Sequence, residues 1–542
     1  MKKGVLSIIL ILLVVVLLLG GCGKETSTTT QPTATQPTTT QPSPTATTPV
    51  AGQPVYGGKF VMARNTGITE VGAPMELTGG YGGVTYPLWC GVTETLFVVD
   101  AADRIVPVLA EAVNVAADGL SVTFNLRKGV KFHDGTDFNA EAVKINLEIV
   151  RAAKVAGSAP LDNIESYDII DANTLKINFN KYDATFLMSL AQSGIAVMIS
   201  PAALEKPTTP ENAGRDHLVG TGPFLFDSWS LNQYIRMKKN PNYWQPGRPY
   251  LDEIEIRNMP DYTTSVMAFK AGEVDMVESI DPAQYNELKA QGYTVGIPGG
   301  LAFVFSFRTA NADPESPFSK KEVREALWYS VDRESLVYGL GKGTYNVADQ
   351  LAAPQQGWYI KDYPNRKYDP DKAKELLAQA GYPNGFKTVL HGDVRGRQDD
   401  LVALQNYFGA IGVECTLDIA DVARSSTFAV DGFDGIVQSG FPNWSSFSSW
   451  MNVWINPASP WPTMKFPDNW AASWQDVKSE PQYDQQMAKM KALLKIVYDE
   501  ALVIPWMWDS PRYVVNSKLH DLKWDEMDIN GYFDPVNVWK EK

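Results

Sequence analysis

Residues 24–54 of this chain hold almost nothing that a folded core could use: Thr, Pro, Gln and Ser dominate, as in TTTQPTATQPTTTQPSPTATT. Such a segment buries too little to offset its ordering entropy and stays extended or disordered. It divides the chain. Whatever folds must do so from about Tyr56 onward. The segment itself reads as a tether, reaching about 100 Å if fully extended at ~3.1 Å per residue. The body that follows runs on to residue 542, too long for a single core, so two or more lobes are expected. At 44% hydrophobic and 20% charged, the composition is that of ordinary globular protein. A net charge of −14 opposes phosphate backbones, so no nucleic-acid partner is expected.

Ahead of the tether stand Lys2 and Lys3, then an apolar run from Val5 to Leu19. The run is short of the ~20 residues a bilayer span needs. Residues 1–21 therefore read as a secretory signal, and Leu19-Gly20-Gly21-Cys22 resembles the bacterial lipobox. Cleavage there makes Cys22 the N-terminus and loads its thiol with diacylglycerol. One further acyl chain would make the anchor firm, at about 0.8 kcal/mol per buried CH2. The expected location is the outer face of the cell membrane, lipid-anchored, in a periplasm or wall space. Cys90 and Cys415 read as two lone buried thiols, and spacing alone does not decide whether they pair. With no CxxC and with His133, His217, His391 and His520 scattered, no metal or cofactor is expected.

The body alternates strands and helices. Gly58 to Arg64 reads as a first strand. Val122, Phe124 and Leu126 alternate along another, and Leu175, Ile177 and Phe179 along a third. Between the last two, Asn139 is a candidate N-cap for a helix presenting Val143, Leu147 and Val150 on one face. Phe303, Phe305 and Phe307 alternate before a helix opened by a capping box, Ser319 with Glu322, and facing inward through Val323, Ala326, Leu327 and Ser330. Asp369-Pro370 opens a helix with Ala373, Leu376, Leu377 and Ala380 inward and Gly381 closing it. Further helices are expected from about Gln398 to Ile411 and around Met487, Met490, Leu494 and Val497.

No catalytic constellation is found: GxSxG, HExxH and a phosphate-binding Walker loop are all missing. Gly339 to Gly343 and Gly79 to Gly83 read as turns or loops, and His133-Asp134 as a hydrogen-bonded turn. Tryptophan is the unusual feature, with 15 in the chain and Trp444, Trp450, Trp454, Trp461, Trp470, Trp474, Trp506 and Trp508 gathered late. Most are expected to pack in the core. Phe441 to Trp450, rich in Pro, Asn and Ser, reads instead as a loop after the strand Gly435 to Gln438. Loops carry binding residues, and an indole face in a cleft stacks on sugars, side chains or cations.

Several blocks then appear in a familiar order. Val92-Thr93-Glu94-Thr95-Leu96-Phe97 is followed by Val106-Pro107-Val108-Leu109-Ala110-Glu111, and then by a long block from Asp118 to Gly135. Gly220-Thr221-Gly222-Pro223-Phe224, Asn240-Pro241-Asn242-Tyr243-Trp244 and Phe269 to Asp275 come next. Val323 to Arg333 closes the set. From about Tyr56 onward the chain thus resembles the family 5 extracellular solute-binding proteins, receptors of ABC importers for peptides, nickel and oligosaccharides.

The resemblance implies an α/β, two-lobed periplasmic-binding-protein-like fold (type II) with an extra subdomain inserted in lobe one. Lobe one would comprise 55–90, 221–302 and 508–542, the inserted subdomain 91–220, and lobe two 303–507. It also implies a non-enzymatic receptor, monomeric, that closes on its solute and hands it to the permease subunits of an ABC transporter. Peptide-binding members carry an aspartate for the peptide amine after a late lobe-two strand. Gln438 to Trp444 holds no acid there, and a buried unpaired ammonium costs several kcal/mol. The expected solute is an oligopeptide or similar medium-sized polar molecule. An oligosaccharide is the alternative, and a surface glycosidase or an adhesive lipoprotein are remoter ones. Expected ligand contacts are Asn443, Trp444, Trp450 and Arg395 from lobe two, with Asn65 and Trp508 from lobe one.

Overall fold

The computed structural model describes residues 53–65, 71–73, 91–100, 104–154, 158–192, 195–207, 215–297, 303–393, 398–442, 463–522 and 535–542. Residues 54–542 form one compact unit. Free Cys415 is buried in it, while Cys22, Cys90, the tether and the Gly79–Gly83 run lie outside the described residues.

Three sheets organise the body. The first has seven strands in the order Thr294–Gly296, Tyr513–Val515, Met276–Val277, Lys59–Arg64, Glu253–Asn258, Tyr234–Lys239 and Phe224–Ser230. Lys59–Arg64 is parallel to both neighbours and buried on both faces, as an apolar run flanked by crossovers requires. Phe60 and Met62 enter one core, with Ile235, Met237 and Ile254. Val61 and Ala63 enter the other, beneath the helices Tyr262–Lys270 and Pro282–Ala290.

The second sheet runs Asn346–Val347, Val503–Asp509, Phe303–Thr309, Ile436–Pro442, Phe386–Asp393 and Val413–Ala420. Phe307 meets Phe408 of the helix Gln398–Ala410 edge to face, at 5.4 Å between centroids. The third is a four-stranded antiparallel sheet in the order Ala110–Val115, Ser121–Leu126, Thr174–Phe179 and Ile164–Asp171. The helix Ala140–Ala153 packs beside it, and Asn139 Oδ1 caps that helix by accepting from Ala142 N at 2.9 Å.

Most local expectations match. Asp369 caps Pro370–Gln379 through Lys372 N, and Gly381 follows at φ +90°. Met487, Met490, Leu494 and Val497 are buried along Tyr483–Asp499. Three details differ. The Ser319 capping box does not form, because its hydroxyl donates back to the Pro314 and Ser316 carbonyls and closes a 3-10 turn. The helix Lys321–Ser330 then begins after Lys320, with no side-chain cap. The strand expected to stop at Gln438 continues to Pro442, since Phe441 and Pro442 pair with Val304 and Phe303. Gly339 and Gly341 belong to the helix Arg333–Gly341, and the turn comes only at Lys342 and Gly343, both at positive φ.

Candidate functional site

Strand direction identifies where the two large sheets face their connections. The chain leaves the first sheet after Gly296 and enters the second at Phe303; it leaves Asp509 and re-enters the first at Tyr513. Phe303 pairs with both Pro442 and Asp509, so the carboxyl ends of Ile436–Pro442 and Val503–Asp509 lie at this crossing edge. Phe386–Asp393 and Val413–Ala420 run parallel to them and end on the same side. In the first sheet, Val514 pairs with Val277, so the parallel strands ending at Arg64, Asn258 and Val277 also point toward the crossing. Open α/β sheets bind ligands outside such carboxyl ends. Here two sheets present theirs toward the same pair of connections.

On the first sheet this edge is charged and tightly held. Arg64 pairs with Glu278 at 2.6 Å, both nearly out of solvent, on adjacent strand ends. Asn65 Nδ2 donates to the Tyr262 hydroxyl at 2.6 Å, and Asp261 fixes Tyr262 by capping its helix through Thr264 N. Arg512, in the returning connection, is buried. Its Nε donates to the Ile280 carbonyl at 2.9 Å, its Nη1 meets Asp509 at 2.5 Å, and its guanidinium lies 5.0 Å from the Tyr345 ring. One side chain thus grips both sheets at the crossing.

On the second sheet, Trp508 is the penultimate residue of its strand, opposite Val304 and 7% exposed. Asp393, at its strand's end, accepts from Ser425 Oγ at 2.5 Å. Asp421 caps the next helix through Arg424 N, and the Arg424 guanidinium pairs with Asp418. That pairing holds the Asp418 carboxyl below its usual range. His391, buried behind Asp393, sits with one ring nitrogen on Asp418 and the other on Asp434, at 2.8 and 2.9 Å.

Of the residues expected from sequence, Asn65 and Trp508 are at the crossing edge, but Trp508, expected from lobe one, stands on the second sheet, because its strand Val503–Asp509 pairs with Phe303–Thr309. Arg395, Asn443, Trp444 and Trp450 lie outside the described residues; the strands leading to them end at Asp393 and Pro442. Arg64, Glu278, Tyr262, Asp509 and Arg512 were not anticipated. Nothing local announces their place at the crossing: Arg64 meets Glu278, Asn65 meets Tyr262 and Arg512 meets the Ile280 carbonyl across long stretches of chain, and only Asp509 and Arg512 are near neighbours in sequence.

The motif blocks serve a different place. Glu94 accepts from Thr221 Oγ1 at 2.8 Å, the Tyr243 hydroxyl at 2.7 Å and the Trp244 indole at 2.9 Å. His133 Nε2 faces the Gly222 carbonyl at 2.9 Å and so carries its proton there; burial pushes the ring's pKa down. Asn240 Nδ2 donates to that same carbonyl. Four blocks far apart in sequence thus build one neck between the third sheet and the first.

Two α/β lobes joined by a double crossing, each offering strand carboxyl ends to it, define a two-lobed binding-protein fold. Solved structures share it. CtaP of Listeria monocytogenes has a TM-score of 0.77 at 17% identity, covering 90% of this chain and 100% of that one. DppA of Helicobacter pylori in complex with the peptide STSA has 0.73 at 23%, covering 90% and 99%. NikA of Brucella suis in complex with Fe(III)-EDTA has 0.75 at 18%, covering 89% and 100%. The family model described as bacterial extracellular solute-binding proteins, family 5 middle, matches residues 104–472. The glutathione-binding protein GsiB of Escherichia coli O1:K1 / APEC is 34% identical over 387 residues, 68% of this chain and 73% of that protein. GsiB of Salmonella choleraesuis is 33% identical over the same span. The chain belongs to the bacterial extracellular solute-binding proteins of family 5.

Proposed function

We propose that this protein captures an oligopeptide or similar medium-sized polar solute between its two lobes and delivers it to the permease of an ABC transporter, without chemistry. The observation that carries this reading is the crossing edge, where strand ends of both sheets meet over two short connections. Asn65, Arg395, Asn443, Trp444, Trp450 and Trp508 are the proposed contacts. The first lobe would comprise 55–90, 221–302 and 510–542, the second 303–509, with 91–220 inserted; the expected boundary at 508 moves to the end of the strand Val503–Asp509, which pairs within the second sheet. Cys22 carries the lipid that tethers a monomeric receptor outside the membrane. Similarity to glutathione-binding relatives supports a short peptide, since glutathione is itself a tripeptide.

A thermal-shift screen of residues 55–542 against defined peptides with free and blocked amines, glutathione, oligosaccharides and nickel chelates tests the proposal. A ligand at 100 times its Kd stabilises the fold by about 2.7 kcal/mol. Peptide hits that persist with a blocked amine are expected, given the acid-free Gln438–Trp444 stretch. Hits with sugars alone would retire the peptide reading, and turnover of any hit would retire the receptor.

A further inference from the structure

Away from the crossing, a recess of about 590 Å³ opens where the third sheet meets the first. Arg127, Lys128 and Arg248 line it, with Trp244, Asn537 and the single carboxylate Glu111. In a chain of net charge −14, three cations around one exposed acid is a local reversal of sign. No residue of the second sheet lines it, so it is separate from the crossing edge.

The two arginines are held alike. Arg127 lies 4.7 Å from the Trp244 ring and spends its Nε on the Val108 carbonyl at 3.0 Å. Arg248 lies 4.1 Å from the Tyr250 ring and spends its Nε on Asn537 Oδ1 at 2.9 Å. Stacking plus an Nε bond fixes each guanidinium plane, leaving the terminal nitrogens for other acceptors. Among the described residues, neither terminal nitrogen of Arg248 has a protein acceptor. Arg127 offers Nη1 to Glu111 only at 3.5 Å. Lys128 is exposed beside them. Trp244 is itself pinned by Glu94, so the platform under Arg127 is rigid.

Two preset guanidinium forks and an exposed ammonium match a tetrahedral, multiply charged oxyanion better than a flat carboxylate. We propose that this recess is a binding site for a phosphate group, as free phosphate or a phosphate monoester, distinct from the solute cleft. Occupancy would tie Arg127 and Lys128, at the end of the strand Ser121–Leu126, to the 244–248 segment and so brace the neck.

Calorimetry on the full chain carrying Cys22→Ser, which leaves it unlipidated, tests this. The probes are inorganic phosphate, citrate and dihexanoylphosphatidic acid below its micelle concentration. Phosphate is expected to bind at one site, to weaken as salt is added, and to lose about tenfold or more in affinity with Arg127→Gln plus Arg248→Gln. Arg127→Lys plus Arg248→Lys, which keeps the charge and discards the forks, should retain part of the affinity and guards against misfolding of the Gln pair. Phosphatidic acid binding more tightly than phosphate assigns the site to a headgroup; phosphate alone binding assigns it to the soluble ion. No phosphate binding at about 10 mM, citrate binding as well as phosphate, or undiminished binding by the Gln variant overturns the proposal.

Discussion

Glu255 is 2% exposed, and three cations converge on it: Lys59 at 2.6 Å, Arg236 at 2.7 Å and Arg257 at 2.5 Å. Burial alone would raise its pKa, but the bonds to those cations outweigh burial and hold the carboxyl down at about 2. A carboxyl lowered on folding stabilises the protein above its unfolded value of 4.5 and gives that stability up as pH falls toward about 2. Glu255→Gln should therefore cost about 1–3 kcal/mol at neutral pH, the partners being partly solvated. Urea unfolding at neutral pH and near pH 2 checks it, with the difference from wild type vanishing at the acid end. At this scale, the motif residues were legible in the sequence, while which groups they pair with was not. Asp275 closes a conspicuous block, yet its bonds to Val61 N and to Lys540 from the far C-terminus depend on a register that spacing does not encode. Trp508, expected as a ligand contact, is also nearly buried. Trp508→Ala should lower stability by about 3–5 kcal/mol. Urea unfolding of the ligand-free protein measures that loss separately from any loss of solute affinity.

Elements were the most readable level. Period-2 and helical patterns located the strands around Val122 and Leu175 and the helices after Asn139 and Asp369, because each element buries a face and each of the two helices carries its own cap. Caps give a sharp comparison. Asn139→Ala and Asp369→Ala should each lose about 1 kcal/mol in chemical denaturation. Ser319→Ala should change stability by no more than about 0.5 kcal/mol, since it caps no helix. Equal losses at all three positions would contradict the observed hydrogen bonding. The misplaced strand end has a physical cause too. Proline, asparagine and serines from Phe441 onward read locally as a loop, but pairing to Phe303–Thr309 carries the strand on to Pro442.

At the scale of the molecule, two lobes were foreseeable from length and motif order; the way the third sheet is fastened was not. One continuous apolar cluster runs from Leu96 and Phe124 of its layer to Trp470 and Trp506 of the second lobe. Lys478 Nζ meets Asp183 at 2.6 Å, both largely buried, and Ala184 N donates to the Lys478 carbonyl at 2.8 Å. The third sheet therefore holds the first through the neck and the second through this latch. Lys478→Met should cost about 3 kcal/mol by stranding a buried carboxylate, and adding Asp183→Asn should restore most of it. Hydrogen exchange should speed up in residues 180–192 and 470–482 in the single variant. An unchanged exchange pattern would mean the latch carries no load.

The neck itself has a consequence for how such a molecule varies. Gly222 N donates to the Val92 carbonyl at 3.0 Å, so the chain departs and returns within one hydrogen bond. A Cβ at Gly220 would lie 2.2 Å from the Val92 oxygen, and one at Gly222 would lie 2.6 Å from the Gly91 oxygen. Only glycine permits so close a junction. Seen from the first sheet, the backbone is nearly continuous across that point, and the proposed insertion, residues 91–220, would be a graft on an intact stock. A lineage could lengthen, trim or exchange the graft without disturbing the register that holds the crossing edge in place, provided the two glycines stayed and the apolar face left on the second lobe found another cover.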